Sequence, residues 1–297
     1  MNPTTTSVSE IFPLKRTLPL SRLYLGQNLL RISENLKRSF VYTNYLTNED
    51  DIIAVKDEDG NFQVAKEIKN VFDWLLFQQL EAQADVIITS SAYLRRFSTK
   101  GEEAEDVLSV FEPGNTFENL GNWRLQHGYK TRSPDIAIVA RSLNFRIPDI
   151  QKLGNRKIIV FTPDMVADSP EAQVLQEAGI AVIGSGAEGV DGKIMIGYLS
   201  EKMLCRTIEM TTGPAVLKIL LDANVLDRIY ISRVRRKIPV IDSLSVKRIL
   251  SDGGKLSDRK DFILTQRYIM EKCFLEDGTI TSQQFLCYDN KRFLSEL

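Results

Sequence analysis

Short apolar runs alternate with amphipathic segments along most of the chain. The runs at residues 86–89, 136–139 and 180–183 are almost wholly apolar, as in strands buried inside a parallel sheet. Residues 70–84 carry apolar side chains at i, i+3 and i+4, which predicts a helix with one buried face. Another helix is predicted at residues 214–223, because proline favours the first helical position. This alternation of strands and helices is typical of an α/β fold.

The C-terminal part of the chain has a different pattern. Residues 262–274 and 279–288 predict two long strands, and Asp277-Gly278 between them favours a hairpin turn. We therefore expect an α/β fold whose mostly parallel central sheet is flanked by helices and has an antiparallel C-terminal edge. Residues 1–39 are predicted to form an N-terminal tail and a helical extension, and residues 40–297 a single domain.

Composition narrows the functional classes. Lys and Arg total 38 against 39 Asp and Glu, which argues against a protein that holds nucleic acid by charge. Three widely spaced cysteines suit neither a disulfide framework nor a metal site, and the single histidine, His127, is interpreted as a surface residue. The basic run at residues 233–237 is interpreted as a solvated strand end. We expect a cytoplasmic protein with no metal, no nucleic-acid partner and no membrane segment, since its apolar runs are short.

The first candidate ligand site is Thr211-Thr212-Gly213-Pro214, which joins a predicted strand to a predicted helix. A helix N-terminus offers free backbone N–H groups and the positive end of the helix dipole, both of which suit phosphate. The two threonine hydroxyls add donors, and Gly213 allows a ligand to approach the backbone closely. The segment matches neither the usual dinucleotide fingerprint nor a P-loop. An ordinary helix cap is the alternative.

Two further polar segments follow predicted strands. Thr89 and Ser90 stand at the carboxyl end of a buried strand, where open α/β sheets bind ligands. A helix cap is again the alternative. Asn44, Thr47 and Asp50 lie between two strand halves and are expected to face a cleft, with an ordinary polar loop as the alternative.

The order of these segments resembles the reductase domain of riboflavin biosynthesis, which is the C-terminal half of a bifunctional deaminase-reductase. The likeness runs from about Phe40 to the C-terminus. Four stretches carry it: YTNYLTNEDDIIA at 42–54, residues 73–90 ending in ADVIITS, IEMTTGPAVL at 208–217, and LDRIY at 226–230. The resemblance implies a dihydrofolate-reductase-like fold, NADPH as hydride donor, a small-molecule substrate and a homodimer.

The resemblance also implies roles for particular residues. Cofactor contacts are implied at Thr89, Ser90, Thr212, Gly213 and Pro214. Substrate contacts are implied at Asn44, Thr47 and Thr211. Asp50 is our candidate for a catalytic group that relays a proton near the substrate.

Three positions depart from the family's pattern. Asp51 stands where the family has Gly, Ile52 where it has Lys, and Thr211 where it has Glu. Because a site built for hydrogen bonds discriminates strongly, these changes predict a diverged substrate. The zinc-binding motif of the deaminase half is not found in the sequence. We expect an NADPH-dependent reductase resembling 5-amino-6-(5-phosphoribosylamino)uracil reductase. The alternative is a non-catalytic nucleotide-binding protein with the same fold.

Overall fold

The computed structural model describes residues 6–58, 60–92, 111–144, 156–240 and 242–297. Within these ranges, eleven strands form a main sheet and three strands form a second, small sheet. In chain order the strands are β1 (Ser7–Phe12), β2 (Arg16–Pro19), β3 (Phe40–Thr47), β4 (Ile52–Lys56), β5 (Phe62–Gln63), β6 (Val86–Ser90), β7 (Asp135–Val139), β8 (Ile158–Thr162), β9 (Ala181–Gly184), β10 (Thr207–Met210), β11 (Arg228–Val234), β12 (Val246–Arg248), β13 (Phe262–Phe274) and β14 (Ile280–Asn290).

The centre of the main sheet is parallel. Strands β11, β3, β10, β6, β7, β8 and β9 lie side by side in that order and run in the same direction. Strands β6, β7, β8 and β9 read as apolar runs because both faces of the sheet are covered. Since they are parallel, their carboxyl ends meet at one edge, which we call the carboxyl edge.

The other side of the main sheet is antiparallel. Strand β14 pairs with β11, and β13 pairs with β14. Gly278 in the turn between β13 and β14 has a φ of 80°, the left-handed region that glycine enters without strain. The predicted fold class is therefore confirmed: a mostly parallel central sheet flanked by helices, with an antiparallel C-terminal edge.

The N-terminal residues extend this antiparallel side. Strand β1 pairs with β13 and β2 pairs with β1, so residues 7–19 lie in the main sheet. The structure thus has a strand pair where the sequence predicted a tail. The sequence signal for β1 is weak because this strand buries just two alternate side chains, Val8 and Glu10. Alternation that short is a weak strand signal in a Ser/Thr-rich sequence. The helical extension follows at residues 20–36, and the boundary at residue 39 stays a prediction.

Helices cover both faces of the main sheet. In chain order they are α1 (Leu29–Leu36), α2 (Val71–Glu81), α3 (Glu118–Gln126), α4 (Asp164–Ala167), α5 (Pro170–Glu177), α6 (Gly192–Gly197), α7 (Pro214–Asp222) and α8 (Lys291–Glu296). Shorter turns of 3-10 helix lie at Leu20–Arg22, Leu25–Gln27, Ser243–Ser245 and Leu256–Asp258, and a π-helical turn lies at Tyr198–Lys202. Within the described ranges, no helix is both long enough and apolar enough to cross a membrane.

The main sheet divides the hydrophobic core into two parts. On one face, Leu76 of α2 belongs to a buried cluster with Tyr42 of β3. On the other face, Leu217 of α7 belongs to a cluster with Met210 of β10. We call these the α2 face and the α7 face. Because side chains alternate along a strand, neighbouring residues of one strand point to opposite faces.

Most predicted elements have the expected positions. Helix α2 begins after Asn70, whose side chain accepts a hydrogen bond from the backbone N–H of Asp73, and α5 begins after Ser169, which caps it in the same way. The sequence also predicts a helical segment at residues 92–97, of which residues 93–97 lie outside the described residues.

Candidate functional site

The predicted site residues lie at the carboxyl edge, where β3, β10 and β6 end. The register pairs Met210 with Thr43 of β3 and with Ile88 of β6, so Thr211 leaves the sheet between these two strands. The backbone N–H of Thr211 donates to the carbonyl oxygen of Ile88 over 3.0 Å. Open parallel sheets bind ligands at this edge, because the loops that leave the strands there surround a crevice.

The site residues divide between the two faces of the sheet. The α2 face carries Asn44, Thr89 and Thr211, and the α7 face carries Thr47, Ser90 and Thr212. The structure therefore separates Thr89 from Ser90 and Asn44 from Thr47, although the resemblance gives each pair a single role. Those roles stay predictions.

Ser90 and Thr212 connect the ends of β6 and β10 on the α7 face. The Thr212 hydroxyl donates to Ser90 Oγ over 3.0 Å. The Tyr45 hydroxyl donates to the Thr212 carbonyl oxygen over 3.1 Å. These two bonds hold the turn that precedes α7 without using the backbone N–H groups of the helix.

Gly213 precedes α7, and no side chain caps this helix. Its φ of −75° and ψ of −177° are an extended conformation that any residue adopts, so the backbone does not require glycine here. A Cβ atom added to Gly213 would meet no other atom within 4 Å. Open space therefore adjoins an uncapped helix N-terminus, an arrangement that fits a phosphate group.

Asn44 and Thr211 place polar atoms side by side on the α2 face. Among the described residues, Asn44 Oδ1 and Thr211 Oγ1 are buried and have no hydrogen-bond partner. Buried polar groups are nearly always paired, so two such neighbours mark a place where water or a ligand completes the hydrogen bonding. Thr89, the next residue along this face, is also buried.

Asp50 lies in the turn between β3 and β4. The buried side chain of Asn48 holds this turn, since its Oδ1 accepts hydrogen bonds from the N–H groups of Asp50 at 3.0 Å and Ile52 at 3.1 Å. The carboxylate of Asp50 is exposed, and its Oδ2 lies 3.5 Å from Asn48 Nδ2. An exposed carboxylate exchanges protons with solvent readily, but its catalytic role stays a prediction.

Asp51 has a structural role that the sequence analysis did not assign. Its φ is 58°, which is the left-handed region that favours glycine and which agrees with the family's Gly at this position. The buried Asp51 carboxylate lies 2.6 Å from the guanidinium of Arg233 on β11. The interpretation of Arg233 as part of a solvated strand end is therefore wrong, because a charge on the loop after β3 pairs with it. Sequence alone does not bring residues 51 and 233 together.

Buried polar side chains also lie between α2 and the sheet. Asp73 on α2 and Glu209 on β10 are both buried, and each has at least one carboxylate oxygen without a partner among the described residues. Burial raises the pKa of Asp73 to about 6, although the nearby Ser232 hydroxyl acts in the opposite direction. Burial raises the pKa of Glu209 well above its usual value, and the neighbouring carboxyl of Glu81 raises it further.

These carboxyl groups are not among the site residues that the sequence predicts. One signal was available for Glu209, since it stands inside a strand of four residues that is buried throughout. Asp73 carried a weaker signal, because an acidic residue in the first turn of a helix is usually a solvated partner of the helix dipole. Which side of α2 is buried became clear from the packing of the helix on the sheet.

Other features of the described residues lie away from this site. A cavity of about 850 Å³ lies at the opposite, amino edge of the sheet, near Asp85, Asp135 and Arg206. The three cysteines are buried and free. His127 is exposed and stacks on Trp123, which confirms it as a surface residue. In the part of the chain that the structure describes, no group of three or more His, Cys, Asp or Glu side chains could hold a metal ion.

Comparison with solved structures identifies several with a similar fold. A pyrimidine reductase-like protein from Corynebacterium diphtheriae matches with a TM-score of 0.60 at 18% identity, over 91% of this chain and 98% of that one. RibD of Acinetobacter baumannii matches with a TM-score of 0.55 at 12% identity, over 90% of this chain and 62% of that one. The riboflavin biosynthesis reductase of Saccharomyces cerevisiae matches with a TM-score of 0.54 at 14% identity, over 91% of this chain and 98% of that one.

No protein-family model and no curated protein matches the sequence. Identities of 12–18% establish a shared fold and leave the activity open. Each of these three matches covers nine-tenths or more of the chain. The resemblance found in the sequence is thus confirmed at the level of the fold, and the chain has the fold of the pyrimidine and riboflavin-biosynthesis reductases.

Proposed function

We propose that this protein is an NADPH-dependent reductase of a small heterocyclic substrate. The observation that carries the proposal is the uncapped start of α7 beside the open space at Gly213. This helix begins at the carboxyl edge, between the central strands of a reductase fold. A dinucleotide needs a site for its pyrophosphate, and helix N-terminal N–H groups supply one.

The residues around the turn fit a bound pyrophosphate. The backbone N–H groups at the start of α7 would donate to its oxygens, and the hydroxyls of Ser90 and Thr212 are close enough to add further donors. Pro214 removes an N–H that would have no partner at the first helical position. When bound, NADPH supplies the hydride, and the chain contributes orientation and electrostatics.

The substrate would lie on the α2 side of the carboxyl edge. Asn44 Oδ1 and Thr211 Oγ1 are unpaired and buried there, so hydrogen bonds to a substrate would remove the cost of leaving them unsatisfied. We propose that Thr89 lines a wall of the site and that Asp50 at its rim passes protons between solvent and substrate. Thr47 lies on the α7 face, so we propose that it contacts the substrate from the other side of the end of β3.

We propose that the substrate differs from that of the riboflavin reductases. Ile52, which stands where the family has Lys, is 1% exposed and belongs to the hydrophobic core. Thr211 replaces a carboxylate with a neutral hydroxyl. A site that has lost a cation and an anion binds a less charged or differently substituted ring.

The proposal is tested by the substitution Gly213→Val. Its branched side chain would fill the open space beside α7, and we expect NADPH affinity, measured by isothermal titration calorimetry, to fall at least tenfold. Gly26→Val is the matched control, because a Cβ at Gly26 also meets no atom within 4 Å and this exposed position is far from the turn in sequence. A folded Gly213→Val protein with wild-type NADPH affinity would contradict the placement, and a wild-type protein that does not bind NADPH would contradict the function.

A second candidate is a non-catalytic nucleotide-binding protein with the same fold. The observation in its favour is that Asp51 is held by Arg233 and Ile52 is in the core, so neither side chain is free to act on a substrate. The two functions differ in whether bound NADPH is oxidised. Oxidation of NADPH, followed by absorbance with a panel of aminouracils and pterins, would support the reductase, whereas NADPH binding without oxidation would support the alternative.

We also propose that the protein is a cytoplasmic homodimer. The dimer is expected from the riboflavin reductases and from apolar side chains on the C-terminal strand pair. Ile263 on β13 and Ile280 on β14 are 43% and 56% exposed. Buried free thiols in place of disulfides agree with a reducing compartment.

A further inference from the structure

Arg267 on β13 is an arginine for which the fold supplies no partner. Its Nε is buried, and its side chain makes no ion pair and no hydrogen bond within the ranges that the structure describes. The residue as a whole is half-buried, so a ligand can reach it from solvent. A buried N–H donor without an acceptor costs free energy, and buried polar groups in natural proteins are nearly always paired. The unpaired guanidinium of Arg267 therefore points to an anion that binds here.

A second arginine with the same feature lies on the same face of the main sheet. Arg233 on β11 also has a buried Nε without a partner among the described residues. Leu286 of β14 pairs with Ile231 of β11 on one side and with Arg267 of β13 on the other. Both Leu286 and Ile231 belong to the cluster of the α7 face, and Arg233 stands two residues beyond Ile231, so it points to that face as well. Only β14 separates the strands that carry the two arginines.

The phenol of Tyr288 shows that the two guanidinium groups converge. Tyr288 lies on β14, is 8% exposed and belongs to the same cluster. Burial raises the pKa of Tyr288. The carboxylate of Asp51 adds to that rise, whereas the positive charges of Arg233 and Arg267 act to lower the pKa. Charges shift a pKa in this way from short range, so these groups surround the phenol.

The charges of this cluster do not balance. Arg233 and Asp51 compensate each other, because Nη2 of the arginine lies 2.6 Å from Oδ1 of the carboxylate. Glu10 on the adjacent β1 points to the α2 face and pairs with Arg16, so it does not compensate Arg267. Two guanidinium groups therefore face one carboxylate, and one positive charge is left over. An anion bound between the arginines would remove both this excess charge and the unpaired donors.

We propose that Arg233, Arg267 and the phenol of Tyr288 form a second ligand site, which binds a phosphate group on the α7 face of strands β11, β14 and β13. The ligand is inorganic phosphate or a phosphate monoester, since both present the same oxygens. Strand β3 lies between this site and β10, whose end carries the turn before α7. The inference therefore concerns a place apart from the proposed cofactor site and goes beyond the proposed reductase function.

Phosphate suits this cluster better than a carboxylate does. A guanidinium is a planar fork of N–H donors that fits two oxygens of a phosphate at once. A phosphate monoester carries about 1.5 to 2 negative charges at pH 7 and has three acceptor oxygens, so it engages both arginines and the phenol together. A carboxylate has two oxygens and a single charge, which one arginine satisfies. Phe12 of β1 lies opposite Arg267 and is 46% exposed, so this face is open to solvent on the side of β1.

The test measures binding of inorganic phosphate and of ribose 5-phosphate by isothermal titration calorimetry at constant ionic strength. The parent protein is Gly213→Val, so that phosphate at the start of α7 does not contribute. We expect saturable binding by the parent and at least a tenfold loss of affinity in Arg267→Met. Arg267→Lys keeps the charge without the planar fork and should recover part of that loss. Arg235→Met removes an exposed arginine of the same chain segment as Arg233 and should leave the affinity unchanged.

The outcomes decide both the site and its ligand. Loss of affinity in Arg267→Met, or in Arg267→Lys if the methionine variant does not fold, supports the site. Equal affinity for the two ligands identifies free phosphate as sufficient, and a preference for ribose 5-phosphate identifies a monoester. A parent that binds neither, that binds acetate equally well, or that binds phosphate as tightly after Arg267→Met would overturn the inference. So would a dimer that Arg267→Met dissociates while the parent binds no phosphate, because the arginine would then pair with a second copy of the chain. None of these outcomes depends on NADPH binding, so the proposed reductase is tested separately.

Discussion

Glu209 should make the protein less stable as the pH rises through neutrality. Its carboxyl is completely buried on β10, both oxygens lack partners among the described residues, and the carboxyl of Glu81 lies near it. Burial and this neighbour raise the pKa of Glu209 well above its usual value of 4.5. The folded state therefore keeps a proton that the unfolded state loses above about pH 4.5. As far as this group is concerned, the free energy of unfolding is highest below that pH and declines as the pH rises.

The magnitude follows from proton linkage. Each proton kept in the folded state alone lowers the free energy of unfolding by about 1.4 kcal/mol per pH unit. From pH 6.5 to 8.5 the fall is thus up to about 2.7 kcal/mol, a large part of the stability of an ordinary domain. This window avoids Asp73, whose pKa of about 6 confines its effect to lower pH. The three buried cysteines, Cys205, Cys273 and Cys287, have pKa values that burial raises to about 12 from an ordinary value of 9. They add to the fall only near the top of the window, and they add equally in the wild type and in Glu209→Gln.

The assay is urea unfolding followed by circular dichroism at intervals across this window. Glu209→Gln is uncharged and nearly the same size, so we expect its free energy of unfolding to fall clearly less over this window than that of the wild type. Asp73→Asn is the control, since it should remove pH dependence below about pH 6 and leave the slope above it unchanged. A wild-type stability that is constant or rises over the window, or an equal slope in Glu209→Gln, would refute the reasoning.

Three further predictions concern the turn after β3, the assembly and the substrate. Arg233→Met should lower the free energy of unfolding by about 1–3 kcal/mol, because it leaves the buried Asp51 carboxylate unpaired. Asp51→Gly should cost less than Asp51→Val, since glycine tolerates the φ of 58°; urea unfolding compares all three. Light scattering at micromolar concentration should give twice the chain mass of 33.7 kDa, and the monomer mass would contradict a homodimer. Phosphoribosylaminouracil should be turned over poorly, because each lost charge-assisted contact is worth roughly 1.5–3 kcal/mol. A kcat/KM of about 10⁴ M⁻¹s⁻¹ or more would restore the ordinary riboflavin-pathway assignment.

The sequence by itself determined the elements of the core and their order. Buried parallel strands such as β6 and β7 are recognisable because both faces are covered, which makes them nearly continuous apolar runs. Caps such as Asn70 and Ser169 are local, so they mark where helices begin without reference to the rest of the chain. The turn at Thr211–Pro214 was likewise visible, because a helix N-terminus that follows a strand depends on neighbouring residues alone.

The tertiary structure decided which of these residues face one another. Ser90 and Thr212 are far apart in sequence, and the parallel register of β6 and β10 brings their hydroxyls to 3.0 Å. Other contacts depend on the tertiary structure in the same way. The order of the strands brings Asp51 to Arg233, and the packing of α2 on the sheet buries Asp73 and Glu209. A charge and its partner carry no local pattern when about 180 residues separate them, because it is the register of the sheet that sets their distance.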